Sequence, residues 1–155
     1  MKCRTISKIC LCFLCFSFFF GGITMKASAA ETATVESVLL QDINELRAYY
    51  GRQPLFLDGT LCYDAQVRAQ EITTCFSHTR PDGTPWYYVD YYRMYGETLA
   101  MGYSCTESGV HGIVDLWMDS PSHAAMLLNS DFRTVGFSAC MGADGNWYWA
   151  AELGY

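Results

Sequence analysis

The spacing of apolar residues changes once along this chain, and that change limits the folds open to it. Val35, Leu39, Ile43, Leu46 and Tyr50 recur at steps of three and four, the repeat of one helical face, with Gly51 as the natural stop. A second helix is expected over 61–74. Asp58-Gly59-Thr60 caps it, and Leu61, Ala65, Ala69 and Ile72 share one face. Val110, Ile113, Val114 and Trp117 mark a third, which must end before Pro121, and Ser120 then caps a fourth with Pro121 at its first position. Only near the end does the pattern turn strand-like, over Thr134–Met141 and 146–153, joined at Asp144-Gly145. Helices first and strands last, in one short chain, point to an α+β or three-layer α/β/α single domain. With 51% hydrophobic and 17% charged positions, the chain can bury a core.

Ahead of this domain, Lys2, Arg4 and Lys8 precede an apolar run from Ile9 to Ile23, and Ala27-Ser28-Ala29 supplies small residues at cleavage spacing. The segment reads as a secretory signal peptide over 1–29, leaving 30–155 as the domain. A membrane anchor is the rival reading, but a helix of this run reaches only about 22 Å, short of a ~30 Å hydrocarbon core. A free, secreted, extracellular protein is expected, with no membrane anchor after cleavage. From Ala30 onward the chain has six arginines, no lysine and all sixteen acids. That excess of negative charge excludes a nucleic-acid binder or a polybasic membrane module.

Export also bears on the cysteines. Cleavage leaves Cys62, Cys75, Cys105 and Cys140 in an oxidising setting, where two disulfides are expected. Cys62 and Cys75 would lie about 20 Å apart along one helix. The pairs are then 62–105 with 75–140, or 62–140 with 75–105. None of the four belongs to a Cys-x-x-Cys pair of the kind that holds a metal by thiolates.

Three residues carry candidate chemistry. His78 sits on a loop over 76–85, closed by the Arg80-Pro81-Asp82-Gly83 turn. His123 falls in the first turn of the fourth helix, where the macrodipole disfavours imidazolium and leaves a neutral ring able to bind metal or accept a proton. Glu97 stands between Gly96 and the apolar Leu99-Ala100-Met101, at the lip of a buried element. His111 reads as a solvent-facing helix residue. Cys75 with His78, and Ser120 with His123, mimic nucleophile–base pairs, but disulfide formation and helix capping explain them without catalysis. Tyr88, Tyr91, Tyr92 and Tyr95 fall at helical spacing and are expected as a short helix packed on the core. The alternative is that these rings, with Trp86, line a groove for a sugar or lipid.

Four segments together resemble the CAP superfamily of cysteine-rich secretory proteins, venom allergens and pathogenesis-related proteins: FSHTRPDGTPW, GETLA, LWMDSPSHAAMLL and VGFSACMGADGNWYWAAELG. The resemblance runs from about Val35 to Tyr155 and is closest to compact bacterial members. It implies a three-layer α-β-α sandwich with a solvent-open cavity that holds two histidines and two acids. Position by position, the histidines match His78 and His123 and the first acid matches Glu97. The second acid of many relatives falls on Ser120, with Asp119 adjacent but turned away by about 100°. Thr98 and Ser122 are further departures, standing where asparagine and glycine are usual. The resemblance also implies a divalent cation such as zinc held by His78 and His123.

Two functional readings and one structural reading follow. In the first, the protein is a binding or interaction module for an extracellular lipid, glycan or protein partner. In the second it is a metal-dependent, peptidase-like hydrolase, in which His78 and His123 hold the cation and Glu97 is the general base. In the third, the trio is a polar network that stabilises the fold.

Overall fold

The computed structural model describes the backbone of residues 24–155 and the side chains from Val35 onward. The export segment therefore lies outside the described residues up to position 23. Four helices run over Thr24–Tyr49 (α1), Gly59–Ile72 (α2), Glu107–Asp119 (α3) and Pro121–Leu127 (α4). Four strands, Phe56–Leu57 (β1), Gly96–Met101 (β2), Thr134–Met141 (β3) and Trp147–Gly154 (β4), form one sheet in the order β1-β3-β4-β2. β1 is parallel to β3, and the other pairings are antiparallel.

Strand alternation makes the three layers. Val135 and Phe137 of β3, with Trp149, Ala151 and Leu153 of β4, pack against α1 and α3. Tyr148 and Ala150 of β4, with Leu99 of β2, turn the other way onto Ala65, Ala69 and Ile72 of α2. This is the expected α-β-α sandwich. The helical stripe of α1 is met at Val35, Leu39 and Ile43, with Leu46 partly buried against the same core; Arg47 beside it is fully buried, while Tyr50 lies beyond the helix and is exposed. Arg47 can be buried because its guanidinium donates to the carbonyls of Gln53, Leu127, Asn129 and Phe132.

Two glycines set the layer contacts. A Cβ on Gly136 of β3 would overlap the backbone of Leu61 and Cys62, so only glycine lets the start of α2 lie on the sheet. At Gly96, a Cβ would come within 2.6 Å of the Met126 sulfur and 2.8 Å of the Phe132 ring, which fixes β2 against α4 and its exit. The Asp58 carboxylate caps α2 as expected, accepting from the amides of Thr60 and Leu61.

Three expectations need correction. The tyrosine segment is not a helix packed on the core. Only Trp86–Tyr88 forms a 3₁₀ turn, and Tyr88, Tyr91, Tyr92 and Tyr95 are all exposed. Asp90 diverts the chain there: its carboxylate accepts from the Tyr92 amide and its carbonyl from Arg93 and Met94, so a single turn forms and only Met94 is buried. Ser120 occupies the cap position of α4, but its hydroxyl bonds Ser122 instead of a helix amide. Finally, no disulfide joins any two of Cys62, Cys75, Cys105 and Cys140. Cys105 packs on the α1/α3 core, whereas Cys62 and Cys75 belong to α2 and its exit and Cys140 packs on the α2 side. Both expected pairings required Cys105 to reach a cysteine of the α2 layer.

Candidate functional site at the edge of the sheet

The site begins with a charged residue on an apolar stripe. Arg68 lies on the face of α2 that turns to the sheet, between Ala65 and Ile72, and is fully buried. Burial weakens a guanidinium's hold on its proton, but two carboxylates outweigh that and keep Arg68 charged. Its Nε donates to Glu97 Oε2 at 2.7 Å, Nη1 to Glu71 Oε2 at 2.6 Å, and Nη2 to the Ser77 carbonyl at 2.7 Å. Nη2 also reaches Glu97 Oε1 at 3.4 Å, completing a fork on that carboxylate.

The loop that carries His78 is tied to this arginine. Beyond the Ser77 carbonyl, Arg80 donates to Glu71 from Nη2 at 2.7 Å and from Nε at 3.0 Å. Burial would raise the Glu71 carboxyl, yet Arg80 and Arg68 together hold it below its usual range. The Trp86 amide donates to the His78 carbonyl and the Arg80 amide to the Thr84 carbonyl, closing the loop over 76–85 that the sequence predicts. His78 is thereby placed with Nδ1 2.6 Å from Glu97 Oε1. Nδ1 carries the proton in this pairing, which leaves Nε2 turned outward on a ring that is 55% exposed.

His123 approaches from α4. It is half-buried, and burial, followed by the charge of His78, pushes its pKa down. It is a neutral imidazole that shares its surroundings with His78. The structure thus brings His78 and Glu97 into contact and sets His123 within electrostatic reach. Ser120 is engaged with Ser122, and His111 lies elsewhere, exposed and paired through Nδ1 with Asp42 of α1. Cys75 is exposed at the exit of α2.

Beneath the trio lies a cluster that sequence reasoning missed. Glu152 of β4 is the direct cross-strand partner of Glu97 and is fully buried, with neither oxygen bonded among the described residues. Burial first, then the neighbouring Glu97 charge, drives its pKa well above the ordinary carboxylate range against the pull of Arg68. It is held as a neutral acid. Asp64, one helical turn before Arg68, is also buried, and its Oδ2 has no partner among the described residues. Its pKa is raised to about 6 by burial, then by Asp90 and Asp58. The signal for these residues was present: Asp64 and Arg68 continue the α2 stripe, and Glu152 follows Tyr148 and Ala150 at strand spacing.

As a metal centre the site falls short. Both Glu97 oxygens are taken by Arg68, and two imidazoles are less than the three protein donors of a catalytic zinc site. Among the described residues no group of three His, Cys, Asp or Glu side chains is placed to hold a metal ion.

The family model described as the cysteine-rich secretory protein family, CAP, matches residues 40–153. The chain belongs to the CAP family. An outer surface protein of Borrelia burgdorferi is a structural relative with 26% identity and a TM-score of 0.64, the match covering 76% of this chain and 90% of that one. The CAP domain of enterococcal PrgA shares the fold at 13% identity, with a TM-score of 0.65 over 81% of this chain and 62% of that one. An SCP-domain extracellular protein of Bacillus anthracis does so at 17% identity, with a TM-score of 0.62 over 85% of this chain and 44% of that one. In sequence, this CAP chain is 27% identical over 120 residues to the uncharacterized protein YkwD of Bacillus subtilis. That match covers 73% of the chain and 45% of YkwD, so the chain spans less than half of that relative.

Proposed function

We propose that this CAP protein works outside the cell as a recognition module, and that His78, Glu97 and Arg68 form the strut that holds its binding loop in place. One observation carries the reading: the sole acid of the trio is committed to a buried fork with Arg68 and to His78. A carboxylate so held cannot rotate toward a substrate or accept a proton without leaving Arg68 short of a partner. The outer-surface and extracellular descriptions of two structural relatives support the location, as does the export signal read in the sequence. The metal-dependent hydrolase is the less favoured reading, because its general base would be this same Glu97.

Glu97→Gln separates the two. As a strut, Glu97 contributes buried charge-assisted bonds, and the substitution should lower stability by about 3 kcal/mol, or roughly 10 °C in Tm. The hydrolase reading expects in addition that any peptide hydrolysis by the wild type is lost in Glu97→Gln while the metal stays bound. Zinc calorimetry on the wild type beside His78→Ala/His123→Ala is the companion measurement. The recognition reading expects no histidine-dependent binding at micromolar level, the equivalent of about 8 kcal/mol. Such binding, with an unchanged Tm for Glu97→Gln, would overturn it.

A further inference from the structure

The rings expelled from the core between positions 86 and 95 line a groove, and we infer that this groove binds a neutral oligosaccharide. This deepens the recognition reading and rests on it. The groove has a volume of about 370 Å³ and is walled by Trp86, Tyr87, Tyr91, Tyr92 and Tyr95, with Met94 also lining it. Tyr92 and Tyr95 are shared with a neighbouring depression of about 370 Å³, lined also by Asp58, Leu61, Arg93, Thr134, Gly154 and Tyr155, in which Leu61 is the sole branched aliphatic side chain among the described residues and is itself buried. The two form one track with rings at one end and polar groups at the other.

The rings do little for the fold. Tyr91 is 59% exposed and Tyr92 82% exposed, so neither buries enough surface to explain its presence. The backbone beneath them is nevertheless fixed. The Asp90 turn bonds the amides of Tyr92 and Met94, Met94 is buried, and the Tyr95 amide donates to the Leu153 carbonyl of β4 at 2.9 Å. Trp86 and Tyr87 meet edge to face at 88°, and Tyr87 and Tyr91 lie 6.0 Å apart, tilted at 58°. Such a surface is ordered before any ligand arrives, which lowers the entropy cost of binding.

Charge and wall chemistry select the ligand. Among the described residues the first groove has no aliphatic branched side chain, and its tyrosine hydroxyls would be stripped of water by an acyl chain without receiving a hydrogen bond in return. Lipid is therefore disfavoured. Arg93 is the one cation among the described residues that line the track, and Asp90 at 3.6 Å and Asp58 at 3.9 Å neutralise it. With a large negative excess over the whole domain, a phosphate or an acidic sugar would be repelled. A neutral sugar meets every condition. Its C–H faces lie on ring faces, and its hydroxyls exchange hydrogen bonds with tyrosine hydroxyls, Thr134 and the Asp58 carboxylate.

The test is calorimetry of the purified protein with four tetrasaccharides, cello-, xylo-, malto- and N-acetylchitotetraose, beside a galacturonate oligomer and tetramethylammonium. At least one neutral sugar should bind. Tyr91→Ala/Tyr92→Ala should weaken it at least tenfold with Tm unchanged, since both side chains are exposed, and Tyr91→Phe/Tyr92→Phe should keep most of the affinity. Absence of binding by all four sugars would overturn the inference. So would binding indifferent to the alanine pair, or preference for the galacturonate or tetramethylammonium. None of those outcomes would touch the Glu97→Gln and zinc results, so the failure of this inference is distinguishable from failure of the recognition reading.

Discussion

Glu152 pairs across the strands with Glu97, and only one of the two has an arginine to lean on. The other keeps its proton, so the buried group of Arg68, Glu97 and Glu152 carries no net charge. Glu152→Gln copies the neutral acid in shape, and should leave stability nearly unchanged below about pH 4, where the unfolded carboxyl is protonated too, and raise it at pH 8; urea titration at both values checks this. Asp64 adds a second slope. Its folded pKa of about 6 lies above its unfolded value, so the folded state holds the extra proton between roughly pH 4 and 6. Stability from that proton is complete below pH 4 and is lost as pH rises through 6. Asp64→Asn should remove this slope and gain about 2 kcal/mol at pH 7.5. The sequence made His78, Glu97 and His123 legible because each stands in a recognisable motif. Arg68 and Glu152 hid because a charged residue on an apolar stripe gives no sign of its partner until α2 is laid on the sheet.

Elements were legible where a helical stripe or a hairpin turn marks them. α2, β3 and β4 lie within two residues of their expected spans, and α3 ends before Pro121 as expected. β1 and β2 were not seen as strands: β1 is only two residues long, and β2 pairs with a strand far along the chain and not across a hairpin turn such as the one at Asp144-Gly145. The tyrosine segment misled for the opposite reason: it has helical spacing, but Asp90 offers the backbone a competing turn. At Gly136 the close approach of α2 to β3 makes a firm prediction. Gly136→Ala should destabilise by more than about 2 kcal/mol, because it pushes backbone against backbone and not a yielding side chain. A drop in Tm together with altered His78 chemical shifts would show that α2 carries the site with it.

At the scale of the molecule, the sandwich was legible through the resemblance and the helix-then-strand order, whereas the disulfides were read from compartment and composition, which know nothing of which layer a cysteine occupies. The strand order has a consequence in time. β4 lies between β3 and β2 yet is drawn from residues 147–154, and Arg47 near the end of α1 bonds carbonyls as far on as Phe132. A chain that emerges with its N-terminus leading cannot close this sheet midway. Everything up to Asn146 must wait, unpaired at its centre, for the final strand. A tethered chain stalled before Trp147 should therefore stay sensitive to protease, and one released past Gly154 should become resistant in a single step. Such late closure makes the last eight-residue strand the latch of the whole domain.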